Sequence, residues 1–396
     1  MKYREVIERY KKGLASEEEK LIVEQEIEKY EAIEEYISDR IDTVFDDLSI
    51  PLNNEQHEEG TKNLNKSVNR RLRKTAFFSA AVIIALVIGI FFIISPLADS
   101  FYYNPAKISV GSENRDIDFD VYAFSELNLP GYSLSSNVGI EKLGFGEYDI
   151  RFFRTNLFTQ ESNYVTTNIK RNNKITDQTE IIWHNGFNFL NVRYPTGMSI
   201  EFVNIQKDRV MNHLVRLNPV SYVSANLIFE NDLTMEELHE LELKYPHIEF
   251  IWAGIKVPKD NTRRDLIGIH LINSNKVTVV DRLVEEKYPA FHILEWLTSP
   301  EGCNSSKMSI EAKAYELHYK SLLQYMIDRK EATDVLDYHD KLSYYKSALE
   351  YAEENGVKTY GVLVYSNAED LIPLIENESI KTLELNEVMA SKKYIN

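Results

Sequence analysis

The sequence predicts a multi-domain membrane protein, with an N-terminal all-α hairpin, one transmembrane helix and an extracytoplasmic α+β domain whose first part is rich in strands. Three observations predict this fold class. Helical apolar periodicity comes first, a long uncharged segment follows it, and alternating apolar segments come last. We expect the hairpin at 1–50, a linker with a basic flank at 51–74, the transmembrane helix at 75–98, the strand-rich region at 107–220 and the α+β region at 221–396.

Two helices are predicted for the hairpin. One face of the first helix has apolar residues at three- and four-residue spacing, namely Tyr3, Val6, Ile7 and Tyr10. Ser16 and Glu19 form the pattern of a capping box, which predicts that a second helix begins there. Its apolar stripe consists of Val23, Ile27, Tyr30, Ile33, Ile37, Ile41, Val44 and Leu48. Pro51 ends this helix, and the polar residues 53–69 are typical of a flexible linker.

The long stripe requires a second surface, because fewer than fifty residues bury little apolar area of their own. Homodimerisation as a coiled coil is one alternative, since the spacing approaches a heptad. A groove on another protein is the other. From Ser16 to Ile50 there are thirteen acidic residues against three basic ones, which favours a basic partner. The predicted partner-binding residues are Tyr3, Val6, Ile7, Tyr10, Val23, Ile27, Tyr30, Ile33 and Ile37.

The uncharged segment Thr75–Ala98 predicts a membrane span, because a hydrocarbon core of about 30 Å needs about twenty apolar helical residues. Four basic residues precede it, Arg70, Arg71, Arg73 and Lys74, whereas Asp99 is the first charge after it. The positive-inside rule therefore predicts a single-pass protein with a cytoplasmic N-terminus and an extracytoplasmic C-terminus. Tyr102 and Tyr103 fit an outer interfacial belt.

Strands and helices are predicted in turn for the outer region. In the strand-rich part the candidate strands are DIDFDVYAF, YDIRFFRTNLF and FNFLNVRYP. Further on, Thr234 and Glu237 cap the helix MEELHELELKY, which lies between the strands SYVSANLIFE and IEFIWAGIKV. Two helices at about 309–330 and 341–354 precede the strand VKTYGVLVY, a short helix at 368–376 and the strand SIKTLELNEV. Helices packed on a sheet are the expected arrangement.

No catalytic or cofactor motif emerges from the sequence. The nine histidines have no paired ligand spacing, and Cys303 is the single cysteine, so a cysteine zinc site in the monomer is excluded. Ser343 and Lys346 give S-x-x-K without its companion KTG, and GFGEYD lacks the third glycine of a nucleotide loop. The net charge of −17 disfavours direct binding to nucleic acid. We expect neither an enzyme nor a cofactor.

Several segments together resemble the sigma factor regulator family, the membrane-anchored anti-sigma factors of Gram-positive bacteria, and most of all the anti-sigma-M type. They are YKKGLASEEEKLIVEQEIEKYEAIEEYI, SANLIFENDLTMEELHEL with IEFIWAGI, and LEYAEENGVKTYGVLVYS with IENESIKTLELNEV. The N-terminal segment also looks like the zinc-binding anti-sigma domain, whose ligand positions are here occupied by Glu26, Tyr30 and Ile33. Because these side chains offer no thiolate or imidazole, we expect a zinc-free hairpin.

The resemblance implies that the hairpin sequesters an extracytoplasmic-function sigma factor at the cell membrane and that the outer domain senses envelope stress. A second membrane regulator or homodimerisation is a further expectation for its partners. The alternative is a membrane-anchored extracellular receptor for cell-wall glycan or peptide, in which tyrosines and the tryptophans Trp183, Trp252 and Trp296 line the site.

Overall fold

The computed structural model describes residues 6, 9–11, 14–46, 58–111, 113–135, 138–171, 173–174, 200–257, 267–273, 287–298, 309–336 and 341–392. Two compact units make up the chain, Met1–Ile84 and Ala85–Asn396. The predicted strand FNFLNVRYP, Trp183 and Cys303 lie outside the described residues.

The first unit contains the predicted hairpin. Residues 6 and 9–11 are helical, and helix α1 spans Glu17–Asp46. The capping box is present, since the backbone N–H of Glu19 donates to Ser16 Oγ and that of Ser16 donates to the Glu19 carboxylate. Arg9 forms an ion pair of 2.6 Å with Glu19, which ties the first helical segment to the start of α1. Polar contacts therefore fix the turn between the two helical segments.

A second long helix carries the apolar run. Helix α2 spans Glu58–Gly89, a π-helical segment follows at Ile90–Ile94, and α3 spans Ser95–Asp99. Val68–Asp99 is long and apolar enough to cross a membrane, and its most apolar part is exposed in the structure. The linker prediction for 53–69 is wrong from Glu58 onwards, where the chain is helical. Extending an existing helix adds one hydrogen bond per residue without a new nucleation step, so a polar segment can join it.

The second unit begins with a helix where the sequence pattern indicated a strand. Helix α4 spans Asp116–Asn128, so the strand prediction for DIDFDVYAF is wrong. All thirteen residues of α4 are buried, including the three aspartates that alternate with apolar residues. An alternation of aspartate and apolar residues imitates a half-exposed strand, but here the carboxylates are paired inside the protein and no face of the helix meets water.

The first sheet follows α4 and confirms the strand predicted at YDIRFFRTNLF. Its strands are β1 (Tyr132–Leu134), β2 (Gly139–Gly144), β3 (Glu147–Asn156), β4 (Ser162–Lys170) and β5 (Asn173–Lys174). The order is β1-β3-β4-β5, with β2 also paired to β3, and all pairs are antiparallel. Strands β2 and β3 form a tight hairpin, and helix α5 spans Ile200–Leu214.

The second sheet has the order β10-β6-β9-β7-β8, again antiparallel throughout. Its strands are β6 (Tyr222–Thr234), β7 (Glu249–Ile255), β8 (Gly268–His270), β9 (Lys358–Asn367) and β10 (Ile380–Met389). The helices are α6 (Met235–Lys244), α7 (Ile293–Leu297), α8 (Ile310–Asp328), α9 (Lys330–Leu336), α10 (Lys341–Asn355) and α11 (Ala368–Asn377). The strands and helices predicted from SYVSANLIFE onwards are confirmed, and the Thr234–Glu237 capping box is present.

Both faces of the second sheet are covered. Along β9, Val362 and Val364 belong to the main core, which also includes residues of α4 and α8. The alternating Leu363 and Tyr365 belong to a second cluster, in which Phe158 of the first-sheet region stacks on Tyr222 with ring centroids 5.1 Å apart. Burial on both faces explains why this strand is a continuous apolar run instead of an alternating one.

Candidate functional site

The structure divides the predicted partner stripe into a covered part and an exposed part. Val6 and Val23 are 7% and 5% exposed, so they belong to the hairpin's own core. Ile27, Tyr30 and Ile33 are 45%, 76% and 55% exposed. The described part of the first helical segment therefore covers the stripe only near its beginning, and Ile27, Tyr30 and Ile33 remain exposed among the described residues.

Other predicted residues of the stripe are less exposed or are not described. Tyr10 is half-buried, and its hydroxyl donates to Glu24 over 3.4 Å. Tyr3, Ile7 and the side chain of Ile37 lie outside the described residues. Exposed glutamates flank the apolar residues on α1, namely Glu18, Glu24, Glu28, Glu31, Glu34 and Glu35. The surface is thus apolar along one line and acidic around it.

A second set of polar contacts joins the end of the apolar helix to the hairpin of β2 and β3. The N–H of Phe145 donates to Ser95 Oγ over 3.1 Å, and that of Gly146 donates to Asp99 Oδ1 over 2.6 Å. Lys142 forms an ion pair with the same Asp99 carboxylate. GFGEYD is therefore a turn that holds the helix end through its backbone N–H groups.

Glycine is required in this turn for two reasons. Gly146 has a φ of +76°, and a Cβ built on it lies 2.5 Å from a ring atom of Tyr102. A methyl group would have to displace the tyrosine ring that packs against the turn.

A buried ionic network links the segment after α3 to α4 and to the end of α8. Asp120 accepts hydrogen bonds from Tyr103 over 2.8 Å and from Tyr325 over 2.7 Å, and Arg329 forms ion pairs with Asp120 at 2.9 Å and Asp116 at 3.2 Å. Tyr103 is buried here, so the expectation that it belongs to an interfacial belt is wrong. Asp116 also accepts from the N–H of Ser109 and of Val110.

Burial and charge shift the pKa values of four groups in this network. Burial raises the pKa of Tyr103 and of Tyr325 well above the usual value, and the charge of Asp120 raises both further. Both hydroxyls therefore remain donors. Burial also raises the pKa of Asp120, although Arg329 opposes this shift. For Arg329, burial lowers the pKa but its bonds to Asp120 outweigh burial, so the pKa is raised.

A third cluster brings together histidines that the sequence shows as isolated residues. His270 of β8 and His318 of α8 lie 3.2 Å and 3.6 Å from Glu126 Oε2 of α4. His318 Nδ1 donates to the carbonyl of Ala290 over 2.9 Å. His292, just before α7, packs its ring on Tyr122 with centroids 4.9 Å apart. All three histidines are buried.

Burial and neighbouring side chains shift the pKa values of Glu126 and His292. Burial alone would raise the pKa of Glu126, but His270 and His318 outweigh it and lower the pKa to about 2. Burial and the nearby His318 lower the pKa of His292 to about 4, with Glu126 opposing the shift. Among the described residues, no group of three or more His, Cys, Asp or Glu side chains is arranged to hold a metal ion.

The structure shows where two other groups of candidate residues lie, namely the tryptophans of the receptor alternative and the Ser343 and Lys346 pair. Trp252 and Trp296 are buried in the core, and the Trp252 indole N–H donates to the carbonyl of Glu126 over 3.1 Å. Ser343 and Lys346 are both exposed on α10. Neither described tryptophan lines an open surface, so the receptor alternative gains no support from them.

The comparisons with known proteins concern the region of the second sheet. Helix α5 ends at Leu214, and from there the sheet β10-β6-β9-β7-β8 and its covering helices occupy the chain up to the end of β10. Residues 214–387 match the family model described as sigma factor regulator C-terminal. This sigma factor regulator region is a little under half of the chain, and the match supports the sigma factor regulator family. No curated protein and no solved structure matches the chain.

Proposed function

We propose that this protein is a single-pass membrane anti-sigma factor, a binding and regulatory protein, of the anti-sigma-M type. Its N-terminal helices hold an extracytoplasmic-function sigma factor on the cytoplasmic side, and the outer unit controls release on envelope stress. The match of residues 214–387 to the sigma factor regulator C-terminal family carries the proposal. A helix at Val68–Asp99 that is long and apolar enough to span a bilayer supports the membrane anchor.

The exposed part of α1 supports the binding of a sigma factor. A sigma factor binds DNA and so presents basic surfaces, which the acidic rim of α1 attracts and orients. The apolar side chains of Ile27, Tyr30 and Ile33 then supply the buried contact area. Occupation of this surface keeps the sigma factor at the membrane and away from polymerase. The zinc-ligand positions of related domains hold Glu26, Tyr30 and Ile33, so we propose a metal-independent contact.

Affinity capture of the full-length chain from solubilised membranes tests the proposal. We expect a sigma factor as the main partner, in the presence or absence of a chelator. The Ile27→Ala, Tyr30→Ala double variant removes two exposed side chains from the interface centre. Truncating a side chain at an interface centre typically costs about 2 kcal/mol of binding free energy or more, some thirtyfold in affinity. The variant should release the sigma factor and activate its target promoter without stress.

A matched control uses two polar residues on the far side of the same helix. At 100° per residue, Gln25 and Lys29 each lie about 160° from Ile27, and about 140° and 100° from Tyr30, and both are exposed. The Gln25→Ala, Lys29→Ala variant should keep the promoter silent. A silent promoter in the Ile27→Ala, Tyr30→Ala variant at normal protein abundance contradicts the assignment of this face. Conversion of a dimer to a monomer in that variant, with the promoter silent, identifies a homodimer contact instead.

A further inference from the structure

The turn between β2 and β3, which we call the tip (residues 142–147), is closely packed on the end of the apolar helix. Ser95 and Asp99 are only 5% and 3% exposed, although they end a helix that is otherwise exposed. The tip covers them through the two backbone N–H donors of Phe145 and Gly146 and through Lys142. The position of the tip relative to this helix end is therefore fixed by three polar contacts.

The length of the helix places this contact at the edge of a bilayer. Twenty residues at 1.5 Å each span the hydrocarbon core of about 30 Å. Counted from Thr75, the first residue after the basic flank, these residues end at Ile94. Ser95 and Asp99 then lie in the interfacial layer on the far side, where their polar groups and the backbone of the tip can still reach water.

The side chains around the contact have the composition of an interfacial anchor. Leu143 of the tip is 48% exposed, and Leu97 and Phe101 near the helix end are also largely exposed. Lys142 and Arg171 are exposed beside them, and the N–H of Arg171 donates to the carbonyl of Gly146 over 2.8 Å. Apolar side chains with adjacent basic residues are typical of elements that lie in the headgroup layer.

We propose that the tip is a second membrane anchor, which lies in the outer interfacial layer of the bilayer that the apolar helix crosses. Leu143 enters the boundary between headgroups and acyl chains, and Lys142 and Arg171 lie at the level of the lipid phosphates. The occupant of this apolar surface is a phospholipid membrane, because the surface is continuous with the exposed span itself. The proposal rests on the membrane anchor of the proposed function and is independent of sigma factor binding.

A fluorescent probe on a single cysteine at the tip tests this proposal in the full-length protein. Leu143→Cys is introduced with Cys303→Ser, labelled, and reconstituted in vesicles of phosphatidylcholine and phosphatidylglycerol that carry bromine on the acyl chains. Tyr164→Cys is the matched control, because Tyr164 is exposed on the same sheet opposite Phe153. Phe153 is seven residues along β3 from Gly146, about 23 Å at 3.3 Å per residue.

We expect strong quenching of the probe at residue 143 by the brominated lipids, with weak quenching at residue 164. Equal quenching at the two positions, or emission typical of water at residue 143, overturns the second anchor. A blue-shifted but unquenched probe at residue 143 also overturns it, since a protein surface then covers the tip. Carbonate extraction of the same vesicles distinguishes failure of the second anchor alone from failure of the membrane-spanning helix. A protein that resists extraction keeps the span even if the tip lies in water, whereas an extracted protein loses both anchors.

Discussion

Two glycines of the second unit share one backbone conformation but differ in their surroundings. Gly146 and Gly356 have φ values of +76° and +75°, and only Gly146 has a neighbour, Tyr102, where a Cβ would lie. Gly356→Ala should therefore lower the free energy of unfolding only by the cost of a side chain in the left-handed region, about 1–2 kcal/mol. Gly146→Ala adds a steric conflict of about 1–3 kcal/mol. Urea unfolding of the full-length protein in detergent, followed by tryptophan emission, measures both losses. Equal losses would show that Tyr102 moves aside freely.

His292 should make the stability of the second unit depend on pH. Its pKa is about 4 in the folded protein, below the ordinary value of 6.5, because the buried ring is held neutral. As pH falls from 6.5 towards 4, the unfolded chain takes up a proton that the folded chain does not. Stability therefore declines across this window, by up to about 1.4 kcal/mol per pH unit.

His292→Phe keeps an aromatic ring against Tyr122 and removes the proton. Neither ring nitrogen of His292 has a hydrogen-bond partner among the described residues, so no bond is lost. Melting temperatures between pH 6.5 and 4 should decline less steeply in this variant than in the parent protein. His247→Phe is the control, because His247 is exposed. An unchanged slope in His292→Phe would assign the acid sensitivity to another group.

The histidine cluster also shows what sequence patterns cannot supply at this scale. His270, His292 and His318 are more than twenty residues apart along the chain, and they meet only because β8, α7 and α8 pack around Glu126. The spacing of these residues along the chain therefore does not predict that they form one cluster. The capping boxes at Ser16 and Thr234 are different, because donor and acceptor lie three residues apart and the pattern is complete in the sequence.

At the level of elements, α4 illustrates why a buried polar helix is misread. Asp116, Asp118 and Asp120 alternate with apolar residues, and exposed aspartates would indicate the outer face of a strand. Arg115 forms an ion pair with Asp118. Arg329, which lies between α8 and α9, forms ion pairs with Asp116 and Asp120. Arg329 lies more than two hundred positions away from these aspartates, so no local signal points to the pairing. By contrast, strands β6, β7, β9 and β10 were predictable from their own apolar runs and turn residues, whereas the three-residue strand β8 was not predicted.

Breaking the network at Arg329 should loosen α4 from α8. Arg329→Met leaves Asp116 and Asp120 buried without a cation, which typically destabilises a protein by about 3–5 kcal/mol. Adding Asp120→Asn removes one of the two unpaired buried charges and should recover part of the lost stability. The urea midpoint of the full-length protein measures both variants. A double variant less stable than Arg329→Met would contradict the ionic explanation.

The adjacent residue provides the control for this experiment. Lys330 forms an ion pair of 2.6 Å with Asp334 on the exposed side of α9. An exposed pair of this kind contributes about 1 kcal/mol or less, so Lys330→Met should change stability little. A comparable loss in the two single variants would mean that packing of the long side chain, and not charge, supports this corner of the fold.

At the scale of the whole molecule, the boundary between the two units falls within the apolar helix. The second unit starts at Ala85, and its residues Ser95 and Asp99 bond to the tip. Tyr103 then joins the helix end to Asp120 within a few residues. Polar contacts thus join the end of the apolar helix to the body of the second unit, which fits the proposed control of release from that unit.

Orientation in the membrane follows from the basic residues within about twenty positions of each end of the span. On the N-terminal side there are six, Lys62, Lys66, Arg70, Arg71, Arg73 and Lys74, and on the other side two, Lys107 and Arg115. A cytoplasm-dependent reporter after Lys74 and an export-dependent reporter after Asn396 should both be active. Neutralising the four residues nearest the span to Gln leaves two basic residues on each side. We then expect mixed orientation, with lower activity of both reporters at equal protein abundance. Reversed activities in the parent chain would place the acidic helix outside, where no sigma factor could reach it.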